Sequence, residues 1–405
     1  MTLTQAVYSR IQDETHAKRP HYERYSLLAV PPTLEQLVGV ETPGGLADEL
    51  GLSAKGRVVF FIVDGLGYLK LLHLLKEGEL SFGPRTSEAT LIPLTSVFPP
   101  TTTTALTTLA TGVSPAAHGV LGYSVFLQDP GAVVNMIHLS PPGAQSGALA
   151  KLGISPAGML PVQTTYQRLA THKVPTSLFL PKRIADSGLS ELLYQGVGDT
   201  TAFLTLSDLF MHLRGLLKKP GQRILSVYWP TTDSIAHQYG PHCSAFAAET
   251  RHFFRTLDEE LLARVEDVTV LIAADHGFQP FNPAQDIVSC PDHPELRESL
   301  LFPPVGEARA ASLFVRRGCE GRIREFLHER FPQEFEVLTT EQALDRKLWG
   351  EELPKPNIQA RMGDLLVLSR GRKCLMWPRE PVTMRGMHGG MTQEELLVPL
   401  LALNL

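Results

Sequence analysis

Residues 57–65 read RVVFFIVDG, an unbroken run of β-branched, aromatic and aliphatic side chains that stops at an aspartate and a glycine. A strand wetted on one face alternates polar with apolar residues. A strand covered on both faces does not, so this run reads as a central strand of a parallel sheet. RILSVYW (223–229) and VTVLIAA (268–274) have the same texture. Helical segments are expected between the strands, around 102–111, 206–218 and 244–264. The alternation is β-α-β, which predicts an α/β fold with a mostly parallel central sheet flanked by helices.

Outward from the strands, TLEQLVGV (33–40) and LADELGL (46–52) carry helix-like apolar spacing. The texture changes between residues 283 and 375: a Pro-rich start, then ASLFVRR, a helix-like EGRIREFLHERF, and GDLLVLS. This stretch is expected to form a small α+β cap that shapes the substrate pocket, with a β-α-β order of segments. Residues 1–282 and 376–405 would then form the core, which closes with the strand LLVPLLALN.

At 405 residues the chain can bury a large core, and a net charge of −5 gives no general attraction to a nucleic-acid polymer. The four scattered cysteines form no CxxC pair and read as reduced thiols. The polar start MTLTQAVYSRIQDETHAKRP differs from a signal peptide, and no run of eighteen apolar residues suits a membrane span, so a cytoplasmic location is expected. Oligomeric state is not legible.

The chemistry gathers at the strand ends. Asp64 follows the first run at once, Asp233 stands four residues beyond the second, and Asp275 directly follows the third. Ligands of parallel α/β sheets bind beyond the carboxyl ends of the strands. His237 lies four residues after Asp233, His276 follows Asp275, and His388 occupies a Gly-rich turn before the last strand. One such aspartate is ordinarily a cap or turn residue, but the set provides six oxygen and imidazole ligands. Six suffice for two divalent ions with three ligands each. The stretch SVFPPTTTTALTTLATG (96–112) adds four consecutive threonines at the start of a helix that follows the strand-like TLIPLTSVF. A hydroxyl there can attack phosphorus once a divalent ion lowers its pKa, while its neighbours cap the helix or pack. His118 reads as structural.

VDGLG, FPPTTTTALTTLATGVSPAAHG, DSIAHQYGP, AADHG and MHGG, in this order, resemble the alkaline phosphatase superfamily and, within it, the type I phosphodiesterase/nucleotide pyrophosphatase branch. The end section, GDLLVLS followed by His-Gly-Gly, is similar to that of phosphonoacetate hydrolases. The resemblance implies an alkaline-phosphatase-like core. It also implies a nucleophile ten residues before Gly112, which is Thr102, with Thr101 and Thr103 as the alternatives. Asp64, Asp275 and His276 would hold one metal with Thr102, and Asp233, His237 and His388 the other. Zinc is the expected ion and manganese the alternative.

The implied activity is cleavage of phosphodiester or pyrophosphate bonds in a small, nucleotide-type substrate through a phosphothreonine intermediate. The rivals are a monoesterase, a phosphonate hydrolase or a mutase-like transferase on the same scaffold, and a catalytically silent metal-binding module. Ala105 departs from the family pattern, which has an asparagine at that position. No arginine matches the one that binds dianionic monoesters in the alkaline phosphatases, which points towards diesters, pyrophosphates or phosphonates.

Overall fold

The computed structural model describes residues 2–15, 19–54 and 56–405. The run at 57–63 forms a strand whose last six residues are buried. It lies fourth in a seven-stranded sheet ordered Thr90–Thr95, Leu397–Asn404, Thr269–Ala273, Arg57–Val63, Arg223–Trp229, Thr176–Pro181 and Asp199–Phe203. Leu397–Asn404 runs antiparallel to both neighbours, and the other adjacent pairs are parallel. Phe61, fully buried, meets Phe210 of the helix Leu206–Leu217 and Phe253 of the helix Ser244–Glu260 at ring separations of 6.1 and 5.8 Å. These contacts join the central strand to two of the expected helices.

TLEQLVGV enters the helix Val30–Leu37, but LADELGL does not form one. It folds as turns, with Leu46, Ala47 and Leu50 buried and Gly51 at φ +65°. The left-handed glycine stops the turn from propagating into a helix.

A second sheet has six strands, ordered Phe335–Thr339, Leu365–Ser369, Ala310–Leu313, Val305–Glu307, Ser124–Leu127 and Ala132–Asn135. The helix Glu320–Arg330 lies between its strands in sequence. The strands pair antiparallel, and tight connections such as the one where Glu307 faces Ala310 permit only that. The hairpin at 124–135 joins this sheet through the pairing of Gly306 with Ser124. A Cβ on Gly122 would stand 2.7 Å from Gly306 Cα, so the approach requires glycine. All four cysteines are free thiols. No helix among the described residues is long and apolar enough to cross a membrane.

Candidate active site

Register explains why distant carboxylates meet. Val63 pairs with Trp229, and Ile62 pairs with Ala273, so three strands end side by side. Asp64, Asp233 and Asp275 therefore leave the same edge of the sheet. The pairing of Gly386–Met387 with Gln279–Pro280 brings His388 to His276, and their rings stack at 3.7 Å. Pro100 leads towards the helix Thr102–Thr111, whose first residue puts its Oγ1 3.2 Å from His276 Nε2.

Each of the three imidazoles is oriented by a backbone carbonyl. Nδ1 of His237 lies 3.0 Å from Gly386 O, Nδ1 of His276 3.1 Å from Gly277 O, and Nδ1 of His388 3.2 Å from Pro100 O. A carbonyl only accepts, so each Nδ1 carries a proton, and in the neutral ring each Nε2 presents a lone pair. Nε2 of His276 lies 3.3 Å from Asp64 Oδ1 and 3.5 Å from Asp275 Oδ2; Nε2 of His237 lies 3.3 Å from Asp233 Oδ1. Those three carboxylate oxygens are buried without a hydrogen-bond donor. Two of the carboxylates are tied down through their other oxygen. Asp275 Oδ1 accepts from the Gly65 and His276 N–H groups at 3.0 Å, and Asp64 Oδ2 accepts from the Tyr228 hydroxyl.

Electrostatics record the crowding. Burial, then the charges of Asp275 and Asp233, push the Asp64 carboxyl well above its usual range. Burial, then His276 and His237, push His388 well below the usual imidazole value. For Asp233, burial acts upwards but is outweighed by His237, His276 and Arg183, which hold it low. Imidazole lone pairs beside donor-less carboxylate oxygens fit divalent cations. Two donor sets have their ligand atoms within 4.8 Å of one another: Asp64, Asp275 and His276; and Asp233, His276 and His388. His237 adjoins the second set through Asp233.

The threonines diverge in role. Thr101 precedes the helix with extended backbone angles but makes no side-chain cap; it lines the same cavity as Glu307 instead. Thr103 and Thr104 are buried with unpartnered hydroxyls, whereas Thr107 and Thr111 bond the carbonyls four residues back. Ala105 is fully buried. His118 is buried too, lies 3.0 Å from Thr108 Oγ1 and accepts from the Val120 N–H. Burial lowers its pKa to about 3, in keeping with a structural role.

A cavity of ≈ 520 Å³ opens over Thr102, Asp233, His237 and His388, and Glu307 of the second sheet helps to line it. Sequence reasoning missed Glu307 and Tyr228. Neither has a local signal: Tyr228 reaches Asp64 across 164 positions, and Glu307 accepts from the Tyr123 N–H across 184.

A parallel sheet that converges carboxylates, imidazoles and a helix-start hydroxyl on one cavity defines a phosphoester hydrolase of the alkaline phosphatase superfamily, and the comparisons place it there. Residues 58–391 match the family of Type I phosphodiesterase / nucleotide pyrophosphatase sequences, and the chain belongs to that family. Members of this metal-dependent family act on phosphoester bonds. Murine ectonucleotide pyrophosphatase / phosphodiesterase 5, solved in complex with AMP, is similar in fold: TM-score 0.63, 14% identity, covering 86% of this chain and 88% of that one. Phosphonoacetate hydrolase from Sinorhizobium meliloti 1021, solved with phosphonoformate, gives a TM-score of 0.63 at 19% identity over 85% and 89%. No curated protein matches the chain in sequence.

Proposed function

We propose that the protein hydrolyses phosphodiester or pyrophosphate bonds at a site for two divalent ions, with Thr102 as the nucleophile and a phosphothreonine intermediate. The observation that carries this reading is the Thr102 hydroxyl, 3.2 Å from His276 Nε2 and inside the cluster of donor-less carboxylate oxygens. Asp64, Asp275 and His276 would hold one ion beside Thr102, and Asp233, His237 and His388 the other. Zinc suits the mixed oxygen and imidazole set, and manganese is the alternative. When bound, the ions neutralise the phosphoryl oxygens and the leaving group and favour the ionised hydroxyl.

Thr102 Oγ1 attacks phosphorus, and the bond to the leaving oxygen breaks with the electron pair departing on that oxygen. Water then cleaves the phosphothreonine ester and regenerates the hydroxyl. First-turn N–H groups of the helix Thr102–Thr111 lack intrahelical acceptors and suit phosphoryl oxygens. No lysine or arginine among the described residues lines the cavity, which favours a monoanionic diester over a dianionic monoester.

Thr102→Ala is expected to lower turnover of bis-p-nitrophenyl phosphate at least about a thousandfold while elemental analysis still finds the metal of the wild type. Retained turnover would reject Thr102 and direct attention to Thr101 or Thr103.

A further inference from the structure

Residues 19–26 lie ahead of the family match, which begins at residue 58, yet they grip the stretch that leads to Thr102. Thr95 ends the strand Thr90–Thr95; its N–H donates to Tyr25 O at 2.8 Å, and its Oγ1 accepts from the His21 N–H at 2.9 Å. Three residues on, the Tyr22 hydroxyl accepts from the Phe98 N–H at 3.0 Å and donates to Leu348 O at 2.7 Å. Burial raises the pKa of this phenol, so it stays a donor. Pro99 and Pro100 have no N–H, which makes the Phe98 N–H the last backbone donor before Thr101. Tyr22 is 7% exposed and Phe98 fully buried, so solvent supplies no substitute for these bonds.

The same segment is fastened on its other side. Arg19 pairs with Glu23 and with Glu351, three residues beyond Leu348. Trp349 packs on Phe98 at a ring separation of 5.6 Å, and its carbonyl accepts from the Ala116 N–H at 2.9 Å. The consequence at the site is geometric. Pro100 O, two residues after Phe98, is the acceptor that aims His388, and Thr102 stands four residues after Phe98. A shift of the Phe98 backbone therefore moves both the carbonyl that orients one ligand and the hydroxyl that lies 3.2 Å from His276 Nε2. A displacement of about 1 Å is enough to cost about a hundredfold in rate.

Resting on the reading of Thr102 as nucleophile, we infer that residues 19–26 are a brace for the nucleophile stretch, with Tyr22 as a positioning residue for Thr102 and His388. Tyr22 does not line the cavity, so its effect passes through the backbone of 98–102. Tyr22→Phe keeps the ring and removes only the hydroxyl. Its kcat for bis-p-nitrophenyl phosphate is expected to fall at least about tenfold with KM held within about twofold. Its affinity for zinc, measured by competition with a chelator, is expected to fall at least about tenfold as His388 loses its aim. Leu217→Ala is the control for lost stability, because Leu217 lies at the opposite end of the central strand, where its carbonyl accepts from Arg57 Nη1. It should lower Tm and leave kcat and zinc affinity within about twofold of wild type.

Wild-type kcat or wild-type zinc affinity in Tyr22→Phe, or losses that Leu217→Ala reproduces, overturn the proposal. Should Tyr22→Phe fail to fold, Thr95→Val decides, since it removes the acceptor of the His21 N–H from the same brace. Losses in Thr95→Val that Thr95→Ser restores support the brace, whereas equal constants in both variants and wild type overturn it. Failure of the wild type to hydrolyse any ester would reject the hydrolase reading, while zinc affinity would still decide the brace.

Discussion

Tyr228 shows how much a single residue outside the ligand set can do. It stands one residue before the strand terminus at Trp229, is buried, and donates its hydroxyl to Asp64 Oδ2. That bond leaves Asp64 Oδ1, which has no donor, as the free ligand atom. Partners of this kind orient a ligand and tune its basicity, and losing one typically costs about 10- to 100-fold in metal affinity. Tyr228→Phe keeps the ring and its packing, so metal affinity measured by competition with a chelator should fall by roughly that factor. Unchanged affinity would show that Asp64 needs no such orienter. The contrast between these two residues also shows what sequence conveys. Asp64 is legible because it interrupts an apolar run; Tyr228 is hidden within one, and only strand register puts it beside Asp64.

At the scale of elements, the ligand loops are held by a buried ion pair. Arg309, just before the second-sheet strand Ala310–Leu313, forms a two-pronged pair with Glu395 of the short helix Gln393–Leu396, with contacts of 2.5 and 2.9 Å. Glu395 also accepts from the Gly390 N–H at 2.8 Å and from Thr392 Oγ1 at 2.7 Å, and its carbonyl accepts from the Gly277 N–H at 2.8 Å. It thus ties the turn after His388 to the turn after His276. Arg309→Met would leave the carboxylate buried without its cation and should destabilise the protein by about 3–5 kcal/mol in urea unfolding. Arg309→Met combined with Glu395→Gln should recover most of that loss. A single-variant cost below about 1 kcal/mol would mean that water replaces the guanidinium. The sequence hid this link because Arg309 lies in a stretch without motif character, 86 positions from Glu395.

For the whole molecule, the site is a place where the fold concentrates like charge. The centre of the main sheet was legible because strands covered on both faces must be continuously apolar, and each such run ended at or near the acid that the site uses; the strands Thr176–Pro181 and Asp199–Phe203 at the far edge were not read, and the latter is largely exposed. The second sheet was less legible: its hairpin at 124–135 gains its partner only at Gly306, so no local pattern announces the pairing. The main sheet buries Asp64 and Asp275 at 1% and 0% exposure, each with an oxygen that has no donor. Without cations this arrangement opposes folding, and with them it favours it. Bound metal at a thousandfold excess over Kd contributes about 4 kcal/mol, so chelation should lower Tm by roughly 5 °C in a chain of 405 residues. The double variant Asp64→Asn/Asp275→Asn separates this linkage from a general effect of the chelator. Its Tm should respond less to chelation than that of the wild type, because only the Asp233, His237 and His388 site remains, and after chelation it should equal or exceed that of the chelated wild type, because the substitutions remove the repulsion that chelation exposes. A wild-type Tm indifferent to chelation, in protein shown to contain metal beforehand, would mean that the carboxylates are satisfied by other means and that the cluster is no metal centre.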